Sequence, residues 1–215
     1  MTKKRVAILI SGRGSNMAAL IQAAKAPDFP AEIALVLSSR PEAMGLTIAR
    51  EQQGVPTQAI DYRVFETRAA FDNVVDISLR QRDIEVVCLA GFMRIFTDAF
   101  AEKWRGKMIN IHPSLLPAFK GRKPHQLALE AGVAISGCSV HFTVPELDAG
   151  PIIGQAAVPV HRKDTAAALE ARVLKAEHEL YPQCLKLLCE GKVKLEGERA
   201  VFASGVEAPA FWRNA

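Results

Sequence analysis

The chain has 215 residues, 49% hydrophobic and 23% charged, with a formal net charge of +4. That length suits one α/β domain, and the apolar share supports a substantial core and argues against disorder. No apolar run approaches the roughly 20 residues that cross a bilayer, which excludes a membrane-spanning helix. The positive charges form no run with interleaved aromatics, so nucleic acid is not expected as a partner and small anionic ligands are favoured.

The N-terminus, MTKKRVAILISGRGSN, sets basic residues before a short apolar stretch in the manner of a signal peptide. Gly12 and Arg13 break that stretch and no small-residue cleavage site follows, so it reads as a buried first strand over 5–10. Further strands are predicted over 32–37, 57–60, 84–89 and 107–111, and helices over 15–25, 42–53, 66–82, 97–103 and 125–131. Val86, Val87 and Leu89 belong to a nearly continuous apolar run, the pattern of a strand covered on both faces. Strand and helix in alternation predict an α/β fold: an open, mostly parallel twisted sheet with helices on both faces and right-handed crossovers. After Gly132 the strands expected over 136–144 and 152–160 are joined by a loop containing Pro and Gly, which predicts a mixed segment.

A long helix follows, with Asp164 or Thr165 as N-cap and Gly191 at its end. Leu169, Val173, Ala176, Leu180, Cys184 and Leu187 form its apolar stripe, and Pro182 is expected to bend or divide it. Residues 193–202 suggest a hairpin turning at Gly197, and the last ten residues are expected to be loose. Linkers, repeats and low-complexity tracts are missing, which predicts a single domain over 1–215. Cys88, Cys138, Cys184 and Cys189 show no CxxC spacing, as expected of reduced thiols in a cytoplasmic protein. The His, Cys and Asp residues show no metal-ligand spacing.

In open parallel sheets ligands bind beyond the carboxyl ends of the strands. Loops 11–16, 91–96 and 110–116 meet that condition and are expected to converge. SGRGSN lacks the third glycine of a dinucleotide fingerprint, Met17 standing in its place, and no acidic residue follows the second strand. It is either an ordinary strand-to-helix turn or a glycine turn whose helix N–H groups hold an anion. In INIHPSLLP, Asn110 and His112 are two apart on a strand and share a face, and Pro113 ends the strand there. VHFTVPELDAGP adds His141 and Asp148. An amide, an imidazole and a carboxylate suit proton transfer beside an oxygen gaining charge, while a strand-end cap and a histidine under a loop are the alternative. Met93 and Phe96 can be core, Arg68 a solvated helix charge, and Glu177 an ordinary partner of Lys175 or Arg172.

INIHPSLLP, with LAGFMRIF (89–96), SVHF (139–142) and ELDAGPII (146–153), resembles the folate-dependent formyltransferases, over about 6–191. ILISGRGSN (8–16) narrows the resemblance to the branch acting on phosphoribosylglycinamide. The resemblance implies a Rossmann-like formyltransferase fold, with a phosphate-binding half over about 1–105 and a folate and catalytic half over about 106–215. It implies formyl transfer from 10-formyltetrahydrofolate, as co-substrate, to the amine of 5-phosphoribosylglycinamide in purine biosynthesis, in the cytoplasm, by a monomer or homodimer without a metal.

The residues implied are Asn110, His112 and Asp148 for catalysis. Gly14, Ser15, Asn16, Leu174, Lys175, Ala176 and Glu177 are implied for phosphoribosylglycinamide, with the Glu177 carboxylate near its amine. Arg68, Met93, Arg94, Ile95, Phe96, Asn110, Val144, Pro145, Glu146, Leu147 and Asp148 are implied for folate. His112 must carry a proton to act, and the Asp148 carboxylate would favour that form. Ser139 and His141 would shape the same pocket. Lys123, where some relatives have histidine, and Pro145, at a place often polar, depart from the family pattern. Methionyl-tRNA formyltransferase and formyltetrahydrofolate hydrolase are the rival activities; the first is expected to carry a C-terminal RNA-binding domain and the second an N-terminal regulatory one. A non-catalytic sensor is the rival from another class.

Overall fold

A computed structural model describes residues 2–213. Strands β1 (Lys4–Ile10), β2 (Ala31–Ser38), β3 (Thr57–Ala59) and β4 (Val86–Leu89) alternate with helices α1 (Ser15–Ala24), α2 (Met44–Thr47), α3 (Arg68–Arg80) and α4 (Asp98–Lys103). There follow β5 (Met108–His112), α5 (Pro124–Glu130), β6 (Ile135–Phe142), β7 (Ile152–Pro159), α6 (Ala166–Cys189), β8 (Val193–Glu196), β9 (Arg199–Phe202) and β10 (Ala210–Trp212). Among the described residues the strands form an eight-stranded sheet in the order β10-β7-β6-β5-β4-β1-β2-β3, and β8 and β9 form a pair of their own. β1 runs parallel to β2 and β4, β2 to β3, and β6 is antiparallel to β7. The fold is α/β with a mostly parallel, mixed sheet. The chain divides into two compact units, one up to Ile109 and one from Asn110 on.

In the first unit, Val6 to Ile10 are all buried, so β1 is covered on both faces, as its unbroken apolar sequence requires. Ala7 and Leu9 pack with Phe71, Val75 and Leu79 of α3 and with Phe100 and Trp104. The helix expected over 42–53 is instead the short α2 followed by a wide π turn, Ile48–Gln52. Its start is set by Gly45, whose N–H donates to the Gly12 carbonyl (3.0 Å). A Cβ there would lie 2.5 Å from Ile10 Cδ1 and 3.0 Å from the Gly12 carbonyl oxygen, so a side chain at 45 would press on the end of β1. The helix expected over 66–82 starts later, at Arg68, because the Thr67 hydroxyl caps it by accepting the Ala70 N–H at 3.2 Å.

In the second unit the Thr165 hydroxyl caps α6, accepting the Ala168 N–H at 3.2 Å. α6 runs for 24 residues, and Pro182 does not divide it. Leu169, Val173, Ala176 and Leu180 before the proline and Cys184 and Leu185 after it are fully buried. That burial outweighs the cost of about 3 kcal/mol for an interior proline. Leu185, rather than Leu187, continues the stripe; Leu187 is half-buried. The expected hairpin is present as β8 and β9, with Gly197 at φ 56.

The final residues are not loose up to Arg213. β10 pairs in parallel with β7, Gln155 N–H donating to the Pro209 carbonyl and Arg213 N–H to the Ala157 carbonyl, each at 2.9 Å. The Arg213 guanidinium also pairs with Glu179 of α6. The outer backbone groups of β7 need partners, and this segment supplies them. Asn214 and Ala215 lie outside the described residues. The four cysteines are buried free thiols.

Candidate active site

β5 delivers Asn110 and His112 at alternate positions, and Pro113 ends the strand. The turn that follows is braced by Ser139 of β6, whose hydroxyl donates to the Ser114 carbonyl (2.8 Å) and accepts the Leu116 N–H (3.0 Å). The Leu116–Pro117 peptide is cis. Asp148 reaches the strand end because Gly150 lets its loop fold against β6: a Cβ at 150 would sit 1.7 Å from the Phe142 carbonyl oxygen. Asp148 itself adopts φ 49, a conformation that aspartate tolerates better than most residues.

These residues meet. His112 Nδ1 lies 3.4 Å from Asp148 Oδ2, and the same oxygen accepts the Gly121 N–H at 2.9 Å. His112 Nε2 lies 2.9 Å from the Phe119 carbonyl oxygen, so it carries a proton and donates. Phe119 holds that carbonyl in place with φ 54, a strained value for a bulky side chain. An acceptor oxygen thus faces each ring nitrogen of His112. His141 is the opposite case. Its Nδ1 lies 2.9 Å from the Phe142 carbonyl oxygen and must donate, which leaves Nε2 as a lone pair 3.1 Å from Asn110 Nδ2. Burial pushes the His141 pKa down and keeps the ring neutral. The neutral ring therefore fixes the Asn110 amide with its nitrogen toward His141, and a second N–H remains for a ligand. His141 Nε2 is also 3.7 Å from Asp148 Oδ1. The His112 side chain is only 7% exposed, with the Phe119 carbonyl lying against its Nε2.

In the first unit, the glycine turn opens α1, with Gly14 as N-cap at φ 77; Ser15 is exposed and Asn16 buried. Segment 91–96 is stitched to this turn: Ser11 N–H donates to the Gly91 carbonyl (3.1 Å), and Met93 N–H donates to the Ser11 hydroxyl (2.8 Å). Beside it lies a cavity of about 400 Å³ lined by Tyr62, Phe65, Arg68, Phe71, Arg94 and Ile95 among others. The Arg94 guanidinium lies 4.0 Å above the Tyr62 ring, a cation–π arrangement. Met93 is 70% exposed, whereas the Phe96 side chain stacks between Phe92 (5.1 Å) and Phe100 (4.1 Å) and belongs to the core. Under the arginines, burial raises the pKa of Asp72, while Thr97, Arg68 and Arg94 oppose the shift.

The remaining residues singled out in the sequence are spread over two elements of the second unit. On α6, Ala176 and Glu177 are buried, Leu174 is half-buried and Lys175 is exposed. Arg172 forms a forked pair with Asp164 at 2.7 and 2.9 Å. Ahead of Asp148, Val144 and Pro145 are half-buried, while Glu146 and Leu147 are exposed, Glu146 3.5 Å from Lys120. The sequence reading missed the Phe119 carbonyl and the Gly121 N–H, which are backbone groups. The glycine within AFKGRKP was the available signal. The sequence reading placed Ser11 in the first loop without giving it a role, and it did not single out Tyr62.

Comparison with known proteins gives a consistent picture. A family model described as formyl transferase matches residues 4–185. The trifunctional purine biosynthetic protein adenosine-3 of Homo sapiens is 50% identical over 90% of this chain, which spans 19% of that protein. This chain thus covers about a fifth of that relative's length. Phosphoribosylglycinamide formyltransferase of Escherichia coli (strain K12) is 40% identical over 95% of both chains. The crystal structure of phosphoribosylglycinamide formyltransferase from Anaplasma phagocytophilum superposes with a TM-score of 0.88 at 44% identity, over 98% of this chain and 99% of that one.

Proposed function

The chain belongs to the formyl transferase family, and from that premise we propose that it transfers a formyl group from 10-formyltetrahydrofolate to the primary amine of 5-phosphoribosylglycinamide in purine biosynthesis. The observation that carries this reading is the set at the end of β5, where Asp148 lies 3.4 Å from His112 and Asn110 is fixed 3.1 Å from His141. Attack of the amine on the formyl carbon makes a tetrahedral oxyanion. The C–N10 bond then breaks, the attacking nitrogen loses a proton and N10 gains one. Asn110 offers its second N–H to the oxyanion, and the same oxygen takes the place of the Phe119 carbonyl at the His112 Nε2–H. Removing one such donor from a measured oxyanion hole costs about 3–4 kcal/mol. Asp148 holds the charged ring in place and stabilises the proton that must move to N10. All four thiols are buried, and no nucleophile is needed for direct transfer.

The anion-holding turn at Gly14, Ser15 and Asn16 is the site for the phosphate, with 174–177, including the Glu177 carboxylate, for the glycinamide. Arg68, 93–96 and 144–148 take the folate, the exposed Met93 and core-packed Phe96 contributing chiefly backbone groups. Among the described residues no helix is long and apolar enough to cross a membrane. Free thiols fit the reducing cytoplasm, where we place the enzyme.

The test is direct. Purified protein with 10-formyltetrahydrofolate should release tetrahydrofolate only when phosphoribosylglycinamide is present. Release without the amine would make it a hydrolase, and binding of both compounds without turnover would make it a sensor.

A further inference from the structure

Ser11 lies between the two ligand segments of the first unit and has no part in the chemistry described above. It is buried, and both its N–H and its hydroxyl are engaged within the protein. Its N–H donates to the Gly91 carbonyl at 3.1 Å, and its hydroxyl accepts the Met93 N–H at 2.8 Å. The same hydroxyl lies 2.8 Å from that of Ser39, which is fully buried at the end of β2. The Ser39 carbonyl accepts the Tyr62 N–H at 3.3 Å, and the Tyr62 ring lies 4.0 Å under the Arg94 guanidinium. Arg94 follows Met93 in the chain, so the contacts close into a ring: Ser11, Ser39, Tyr62, Arg94, Met93 and Ser11 again. The next residue, Gly12, is held from the other side by the Gly45 N–H at 3.0 Å.

We infer that Ser11 is a positioning residue that sets the backbone of segment 93–96 and the glycine turn at 12–16 in one register, so that each substrate's binding segment is built against the other's. This rests on the proposed assignment of those segments to folate and to the phosphoribosyl group. The physical argument is a hydrogen-bond count. A serine hydroxyl has one proton and two lone pairs. Met93 N–H takes one lone pair, and the Ser39 hydroxyl takes either the other lone pair or the proton. Both groups therefore depend on this single oxygen. An N–H anchored at 93 fixes the peptide planes that follow it, and those planes offer the backbone groups of 94–96. Tyr62, held by Ser39, caps the arginine from below. Alanine at 11 leaves the backbone path of β1 intact but releases the Met93 N–H and the Ser39 hydroxyl together.

The experiment compares wild type, Ser11→Ala, Ser11→Thr and Ser39→Ala for kcat, for KM of each substrate, and for binding of phosphoribosylglycinamide and of a non-reactive folate alone. Ser11→Ala should raise KM and Kd for the folate roughly tenfold, the scale of one lost hydrogen bond, and those for phosphoribosylglycinamide by a smaller factor. Ser11→Thr keeps the hydroxyl and should stay close to wild type. Ser39→Ala leaves the Met93 bond in place and should raise the folate constants only a few-fold. A purely structural role predicts a lower Tm with both affinities unchanged. That result in Ser11→Ala overturns the inference; if that variant does not fold, unchanged folate constants in Ser39→Ala overturn it instead. A wild type that binds neither compound removes the proposed function and this inference together, whereas an active wild type beside unaltered variants removes this inference alone.

Discussion

Replacing Asp148 by asparagine separates the charge of this side chain from its shape. His112 Nδ1 and Asp148 Oδ2 are 3.4 Å apart. Unit charges at that separation attract by roughly 5 kcal/mol at an effective dielectric near 20. The asparagine oxygen can still accept from His112 and from the Gly121 N–H, and a hydrogen bond to a charged ring is worth about 2 kcal/mol. The net loss is therefore about 3 kcal/mol, on the order of a 100-fold fall in kcat. The amide nitrogen would replace Oδ1 beside the His141 lone pair, 3.7 Å away, where a donor is tolerated, so the loop should keep its place. The assay is steady-state release of tetrahydrofolate, with KM for both substrates and Tm measured on the same preparation. Both KM values should stay within a factor of about three, since the lost interaction strengthens in the transition state. A kcat within about threefold of wild type, with the fold intact, would refute the role given to this carboxylate.

Gly150→Ala should cut turnover and lower Tm together. A Cβ there would meet the Phe142 carbonyl oxygen at 1.7 Å, and relieving that clash, at a cost of about 1–3 kcal/mol, carries Asp148 away from His112; kinetics and thermal melts check it, and wild-type values in both would refute it. Burial holds the pKa of His125, His141 and His178 below the ordinary 6.5. The unfolded chain therefore takes up protons first as pH falls, so stability is full above about 6.5 and declines below it. Thermal melts from pH 7.5 down to about 5 should show a falling Tm, and a flat profile would contradict it. Asp164, held at about 2 by its hydrogen bonds to Arg172, contributes on the order of 2 kcal/mol above the ordinary carboxylate value of 3.8, and this is lost as pH falls through about 2. Asp164→Asn should lower Tm at neutral pH by roughly 4–8 °C, and an unchanged Tm would show that solvent screens the pair.

Strongly patterned segments were legible in the sequence because one physical effect governs them. Val86 to Leu89 is apolar without a break and becomes a strand covered on both faces. The stripe of α6 has the helical period, and enough of it is buried to carry the helix past Pro182. Segments decided by a distant partner were not legible. The start of α2 is fixed by the Gly45 N–H on the Gly12 carbonyl, a partner far away in the chain. β10 is only three residues, Ala210–Trp212, following Pro209, and its conformation is decided by the open edge of β7. The candidate site divides in the same way. The alternation of Asn110 and His112 and the nearness of a late carboxylate could be argued from spacing and resemblance. The hydrogen-bond partners of the two histidines could not, because they are backbone carbonyls placed by loop conformation, with Phe119 at φ 54. The glycine of AFKGRKP marks a turn there, but not which main-chain acceptor the turn presents.

The short strand at the margin of the sheet has a bearing on how the protein behaves in concentrated solution. β7 is eight residues long, and β10 covers three positions of it, Gln155 to Ala157. An uncovered border strand of that length is a template on which a second molecule can add its own backbone, whereas a stub of three residues offers little purchase. Cropping the chain before Pro209 would bare that template, so preparations of shortened forms should be limited by precipitation before any loss of the fold.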